Sequence, residues 1–208
     1  MATMELGASF DLETTNLDAA YGRILVASIK PWDKPVVSFA VDEASSNDYD
    51  VCAQTLDELN NYSVLIAHNG VLFDRAFLNA RALANGLRPL NPNQKVIDPW
   101  MVAKRYMKMN RNSLDALIHH VGLDEGKMHL PPEVWVRAAL DHDEEALITL
   151  VQRCESEGIK RVPIHLHVSL RHHPGVNHLL IRIQRAKSIS ECPRIEEGPV
   201  EEHSIMSN

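Results

Sequence analysis

All eleven Phe, Trp and Tyr residues of this 208-residue chain lie between Phe10 and Trp135, and the stretch from Gly158 to Asn208 contains none. Aromatic side chains supply much of the apolar area that anchors a core, so the folded unit must be built from the first part. The two parts differ in charge and in histidine as well. Residues 158–208 carry seven Lys/Arg against five Asp/Glu and six of the eleven histidines, whereas the part before them is strongly acidic. The expected organisation is therefore one domain over residues 1–157 and a divergent, poorly ordered tail over residues 158–208. Within the tail, the apolar run from Leu179 to Ile183 has the composition of a short strand or helix.

Charge and cysteine usage narrow the function classes. A protein that grips nucleic acid by neutralising phosphates is usually basic. This chain has a formal charge of −7, so a phosphate-bearing substrate must be met by bound cations or by a local basic patch. Lys104, Arg105, Lys108 and Arg111 form one such run, which a solvated helix face would explain equally well. No apolar run reaches the roughly 20 residues a spanning helix needs, and Met1 to Glu5 lacks the basic-then-apolar pattern of a secretory leader. Cys52, Cys154 and Cys192 have no metal-type spacing and fit a reducing cytoplasm better than a disulfide scaffold. The expectation is a cytoplasmic protein without a membrane partner.

The hydrophobic pattern reads as mixed α/β. Leu6 to Leu12, Ile24 to Ile29 and Val36 to Val41 are strand-like, followed by a short helix over Thr55 to Asn61 and a strand at Val64 to Ala67. Phe73 to Asn85 has the 3.6-residue period of a helix, with Gly86 as its stop. Val96-Ile97 is a fifth strand, and helices are expected over Met101–Met107, Ser113–Val121, Glu133–Leu140 and Asp143–Glu157. This succession predicts a mixed five-stranded sheet flanked by helices.

Two segments carry chemistry. Phe10-Asp11-Leu12-Glu13-Thr14-Thr15 ends the first strand, and residues i and i+2 of a strand share a face, so Asp11 and Glu13 present two carboxylates together. Adjacent like charges need a cation between them, and hard oxygen ligands suit Mg²⁺ or Mn²⁺. The second segment, His68-Asn69-Gly70-Val71-Leu72-Phe73-Asp74, leads into a helix whose first turn places Asp74 where the dipole favours an anion. Taken singly, each also reads as an ordinary turn with solvated acids.

Together they resemble the DEDD 3′–5′ exonuclease superfamily of the ribonuclease-H-like fold, in its DNA-polymerase-B-like branch. Asp11 and Glu13 match the family's D-x-E motif, and Asn69, Phe73 and Asp74 match its N-x3-F-D motif. The likeness runs over residues 5–157 and includes Ile97-Asp98-Pro99, Asn112-Ser113-Leu114-Asp115, Lys127 and the stretch from Trp135 to Leu147. It implies hydrolysis of phosphodiester bonds at a free 3′ end of DNA or RNA by two Mg²⁺ or Mn²⁺ ions. Asp11, Glu13, Asp74 and Glu157 would be the catalytic metal ligands, while Asn69, Phe73 and Thr14 would bind the terminal nucleotide.

The chain departs from the family at its third motif, Tyr-x3-Asp or His-x4-Asp on the last helix. Arg153 stands where Tyr or His is expected, and Glu157 where Asp is expected. Arg cannot act as a base at neutral pH. His142 has Leu147 five residues on and does not restore the motif. The departure coincides with the composition break at Gly158, as a reading-frame change in the coding sequence would produce; a nucleotide sequence offering no alternative frame with an Asp and an apolar helix would refute that origin. The other readings are a ribonuclease-H-like module that binds nucleic acid or a protein without turnover, a structural fragment with an incomplete fold, and, for His165, His167, His172 and His173, metal binding by the tail.

Overall fold

The computed structural model describes residues 7–32, 34–42, 47–120, 122 and 128–156, together with the backbone of residues 164–169 and 180–185. The chain opens with an antiparallel meander of β1 (Gly7–Thr14), β2 (Ile24–Pro31) and β3 (Val37–Ala40). Helix α1 (Tyr49–Leu59) leads to β4 (Val64–Ile66), and α2 (Asp74–Ala84) to β5 (Lys95–Ile97). Helices α3 (Pro99–Tyr106), α4 (Leu114–His120), α5 (Glu133–Leu140) and α6 (Glu144–Cys154) follow. The sheet order is β3-β2-β1-β4-β5, with β1, β4 and β5 mutually parallel. The expected mixed five-stranded sheet with flanking helices is what forms.

Strand β2 explains why helices must cover both faces. Ile24, Leu25, Val26, Ala27 and Ile29 are all fully buried, and since successive side chains point to opposite faces, neither face is left to solvent. Val51, Cys52, Leu56 and Leu59 of α1, and Ala146, Leu150 and Cys154 of α6, are buried in the same core. Helix α6 is started by Asp143, whose carboxylate accepts from the Ala146 N–H at 3.0 Å. Its buried residues recur every four positions, so one stripe faces the sheet.

Helix α1 begins six residues before the expected Thr55. The Thr55 hydroxyl, which reads as a cap in sequence, instead donates back to the Val51 carbonyl at 2.6 Å inside the helix. Its anchor is Asp48, fully buried, which accepts from Arg81 of α2 through Nε and Nη2, both at 2.8 Å. Asp48 also accepts from Asn85 Nδ2 and from the Ile24 N–H, each at 2.9 Å. One carboxylate thus fastens α2 and β2 at the start of α1.

In the C-terminal part, β6 (Ile164–Ser169) and β7 (Leu180–Arg185) pair as an antiparallel ribbon, so the apolar run near Ile181 is a strand. The remainder of the expected tail lies outside the described residues, as do Lys127 and Glu157.

Candidate active site

Strand β1 is longer than its parallel neighbour, and the site grows from that mismatch. β4 pairs with β1 only as far as Ser9↔Ile66, whereas β1 continues to Thr14. Past that point the β1 backbone needs another partner, and it finds one in Asp74: the Leu12 N–H donates to Asp74 Oδ1 at 3.2 Å. The side chain of Asp74 is therefore bonded to the residue between Asp11 and Glu13. A register shift between Glu13 and Thr14 ends the regular pairing with β2 and re-aims the strand end, as bulges next to active sites often do.

The loop from β4 to α2 is shaped by Asn69 and Gly70. Asn69 adopts a left-handed φ of 62°, which Asn tolerates better than most residues. Its carbonyl accepts from the Phe73 N–H at 2.9 Å. A Cβ on Gly70 would lie 2.2 Å from the Ala67 Cβ and 3.0 Å from the Ala67 carbonyl oxygen. Gly70→Ala is accordingly expected to cost about 1–3 kcal/mol of stability by overpacking, read as a lower urea midpoint with an unchanged slope. The loop is held from the far side by Asp98, after β5. Asp98 Oδ1 accepts from the Asn69 N–H at 2.9 Å and Oδ2 from the Val71 N–H at 3.2 Å. The same carboxylate caps α3 through the Trp100 N–H at 2.9 Å. All three parallel strands thus deliver residues at their carboxyl ends, where open α/β sheets bind ligands.

Helix α6 closes the other side. Arg153 Nε donates to Glu13 Oε1 at 2.8 Å, and Trp135 Nε1 donates to Glu13 Oε2 at 2.9 Å. The guanidinium lies 4.9 Å from the Trp135 ring centre and donates through Nη1 to the Met128 carbonyl at 2.9 Å. Next to it, the buried Cys154 Sγ sits 3.3 Å from the Asp11 carbonyl oxygen and 3.5 Å from Asp11 Oδ2. Burial first, and then the Asp11 charge, push that thiol well above its ordinary range, so it is a packing group and not a nucleophile. Ser38 Oγ donates to Glu155 Oε1 at 2.7 Å and ties the end of α6 to β3.

Of the expected site residues, Asp11, Glu13 and Asp74 come together at the end of β1. Asn69 shapes the adjoining loop, and the Phe73 ring packs against Phe77 at 5.6 Å. The Thr14 hydroxyl donates to the Asn16 carbonyl at 2.8 Å. Residues not singled out as site groups from sequence are Trp135, Cys154 and Asp98. The Ile97-Asp98-Pro99 segment is the one signal that pointed to Asp98, because Asp before Pro is a helix-start pattern.

Residues 8–138 match the RNase_H_2 family of the RNase_H superfamily. The chain belongs to the RNase H superfamily. The family B DNA polymerase of the hyperthermophilic archaeon Pyrobaculum calidifontis has a similar fold, with a TM-score of 0.61 and 17% identity over 75% of this chain and 23% of the polymerase. NrnC of Brucella melitensis, in a structure bound to pGG, matches with a TM-score of 0.50 and 20% identity over 73% of this chain and 66% of NrnC. This RNase H superfamily member thus spans less than a quarter of the polymerase and just under two thirds of NrnC. No curated protein matches its sequence.

The DEDD-like arrangement of this RNase H superfamily member raises the question of a cation, and Asp74 is the test of fit. Burial pushes its carboxyl up to about 7; its own backbone N–H and that of Leu12 oppose this, while the charges of Asp98 and Glu13 add to it. A buried carboxylate among like charges is stabilised by a divalent ion beside it, so the donor chemistry fits. Among the described residues no three His, Cys, Asp or Glu groups stand together as a ready-made cage. Mg²⁺ needs none, since it commonly takes one or two carboxylates and completes its shell with water and substrate phosphates.

Proposed function

We propose that the chain is a divalent-metal-dependent exonuclease that removes nucleotides from a nucleic-acid 3′ end. The observation that carries this reading is the 3.2 Å bond from the Leu12 N–H to Asp74, which joins two motifs 62 residues apart at one strand end. Asp11, Glu13, Asp74 and Glu157 would hold Mg²⁺ or Mn²⁺. A divalent ion bound there supplies charge to the cleaved phosphate and lowers the pKa of an attacking water. The chain's own residues do the positioning. Asp98 fixes the Asn69–Val71 backbone from behind, which orients Asn69 and Phe73 toward the terminal nucleotide, with Thr14 on the opposite strand end. A similar fold in a protein solved with pGG supports a nucleic-acid ligand.

The test is an oligonucleotide labelled at its 5′ end. Progressive shortening in Mg²⁺ or Mn²⁺, none in EDTA, and resistance of an oligonucleotide blocked at its 3′ end are expected. Internal cleavage of the blocked strand would overturn the exonuclease reading. One observation favours a second reading: Glu13 is already bonded by Arg153 and Trp135, as in a module that binds an end or a partner without turnover. Folded protein that retains oligonucleotide affinity and degrades none of it would select that alternative.

A further inference from the structure

We propose that Arg153 stands in for one of the two expected cations, so that the chain takes a single divalent ion, on the Asp11–Asp74 side of the site. This rests on the exonuclease reading above. The acidic cluster is electrostatically divided. On one side, both oxygens of Glu13 accept N–H donors, from Arg153 Nε at 2.8 Å and Trp135 Nε1 at 2.9 Å. The pair is shielded, with side chains 14% and 10% exposed, so its charges compensate each other more strongly than a surface pair would. Trp135 secures both members, bonding Glu13 through its edge and lying 4.9 Å beneath the guanidinium with its face. The Met128 carbonyl takes Nη1. A guanidinium is permanently charged, weakly hydrated and shaped to match a carboxylate, which makes it a durable substitute for a metal at this position. Helix α6 is held in register by the buried Cys154 against Asp11 and by Glu155 against Ser38, one residue to the other side.

On the other side of the cluster the charge is uncompensated. The groups acting on Asp74 are backbone N–H donors and the carboxylates of Glu13 and Asp98. Asp11 and Asp74 together make the two-carboxylate set with which Mg²⁺ is commonly held, the substrate phosphate supplying further oxygens. Arg153 then acts as a positioning residue for Glu13, supplying fixed positive charge next to the exchangeable ion.

The experiment counts Mn²⁺ bound to the full chain by electron paramagnetic resonance, alone and with a nucleoside 5′-monophosphate. One ion per chain is expected in both cases. Since no ion sits on Glu13, Glu13→Gln should change Mn²⁺ affinity by less than about threefold, whereas Asp74→Asn should weaken it about tenfold or more, the scale on which metal sites respond to lost partners. Arg153→Gln, if circular dichroism shows it folded, should bind a second ion. Two ions in the wild type, or a tenfold loss in Glu13→Gln, overturns the substitution by Arg153 and leaves a metal-dependent nuclease standing. No bound Mn²⁺ at millimolar concentration overturns both.

Discussion

Asp48→Ala is expected to lower the unfolding free energy by about 3–5 kcal/mol, the loss typical of stranding one partner of a buried ion pair. Asp48 is fully buried and accepts from the Arg81 fork, Asn85 and the Ile24 backbone. Removing it leaves the guanidinium of Arg81 with only the Ala19 carbonyl, at 3.2 Å, among its printed partners, and frees three elements from one another. Against a typical domain stability of about 5–15 kcal/mol, this is enough to unfold a sizeable fraction of the chain. The pH dependence follows from the same bonds. Burial alone would raise the carboxyl, but the Arg81, Asn85 and Ile24 hydrogen bonds outweigh it and hold Asp48 below its ordinary 3.8. A depressed folded-state value contributes stability that is complete above the unfolded value and is lost as pH falls through the folded one. Urea midpoints of the wild type should therefore drop as pH falls below about 4, and those of the variant less so. Equal midpoints for wild type and variant at pH 7 would contradict the role given to Asp48.

Asp74→Asn should move activity and stability in opposite directions. The amide oxygen can still accept from the Leu12 N–H, so the strand end keeps its bond. Its negative charge, buried near Asp98 and Glu13, is gone. In EDTA the variant should be more stable than the wild type, as at other sites where function maintains a local strain. Nuclease activity should fall by about 10³-fold, corresponding to the several kcal/mol of charge stabilisation a bound ion supplies at the reacting phosphate. Activity within tenfold of wild type would remove Asp74 from the metal site. Asp74→Ala is the poorer probe, because it also strands the Leu12 N–H.

The carboxylate edge was legible in sequence because its signals are local. Asp11 and Glu13 share a face by strand period, and Asp74 follows an Asn-Gly turn at a helix start. The register that brings them together is less local, but follows from β1 being eight residues and β4 three. Asp48 was illegible for the opposite reason. It sits in a polar stretch that reads as loop, and its partners Arg81 and Asn85 lie 33 and 37 residues away. Nothing in a polar heptad announces burial. Arg153 was noticed as a departure from a motif, yet its bond to Glu13 spans 140 residues. Sequence could say which residue was missing there, and only the packing of α6 on β1 shows what the arginine does instead.

The most direct test of the account follows release of labelled nucleoside 5′-monophosphate from a 3′-labelled single strand in Mn²⁺, with Asp11→Ala alongside. Steady release by the wild type and none by the folded variant is the predicted result. Equal release by both would mean that the carboxylates at the end of β1 do not carry the reaction.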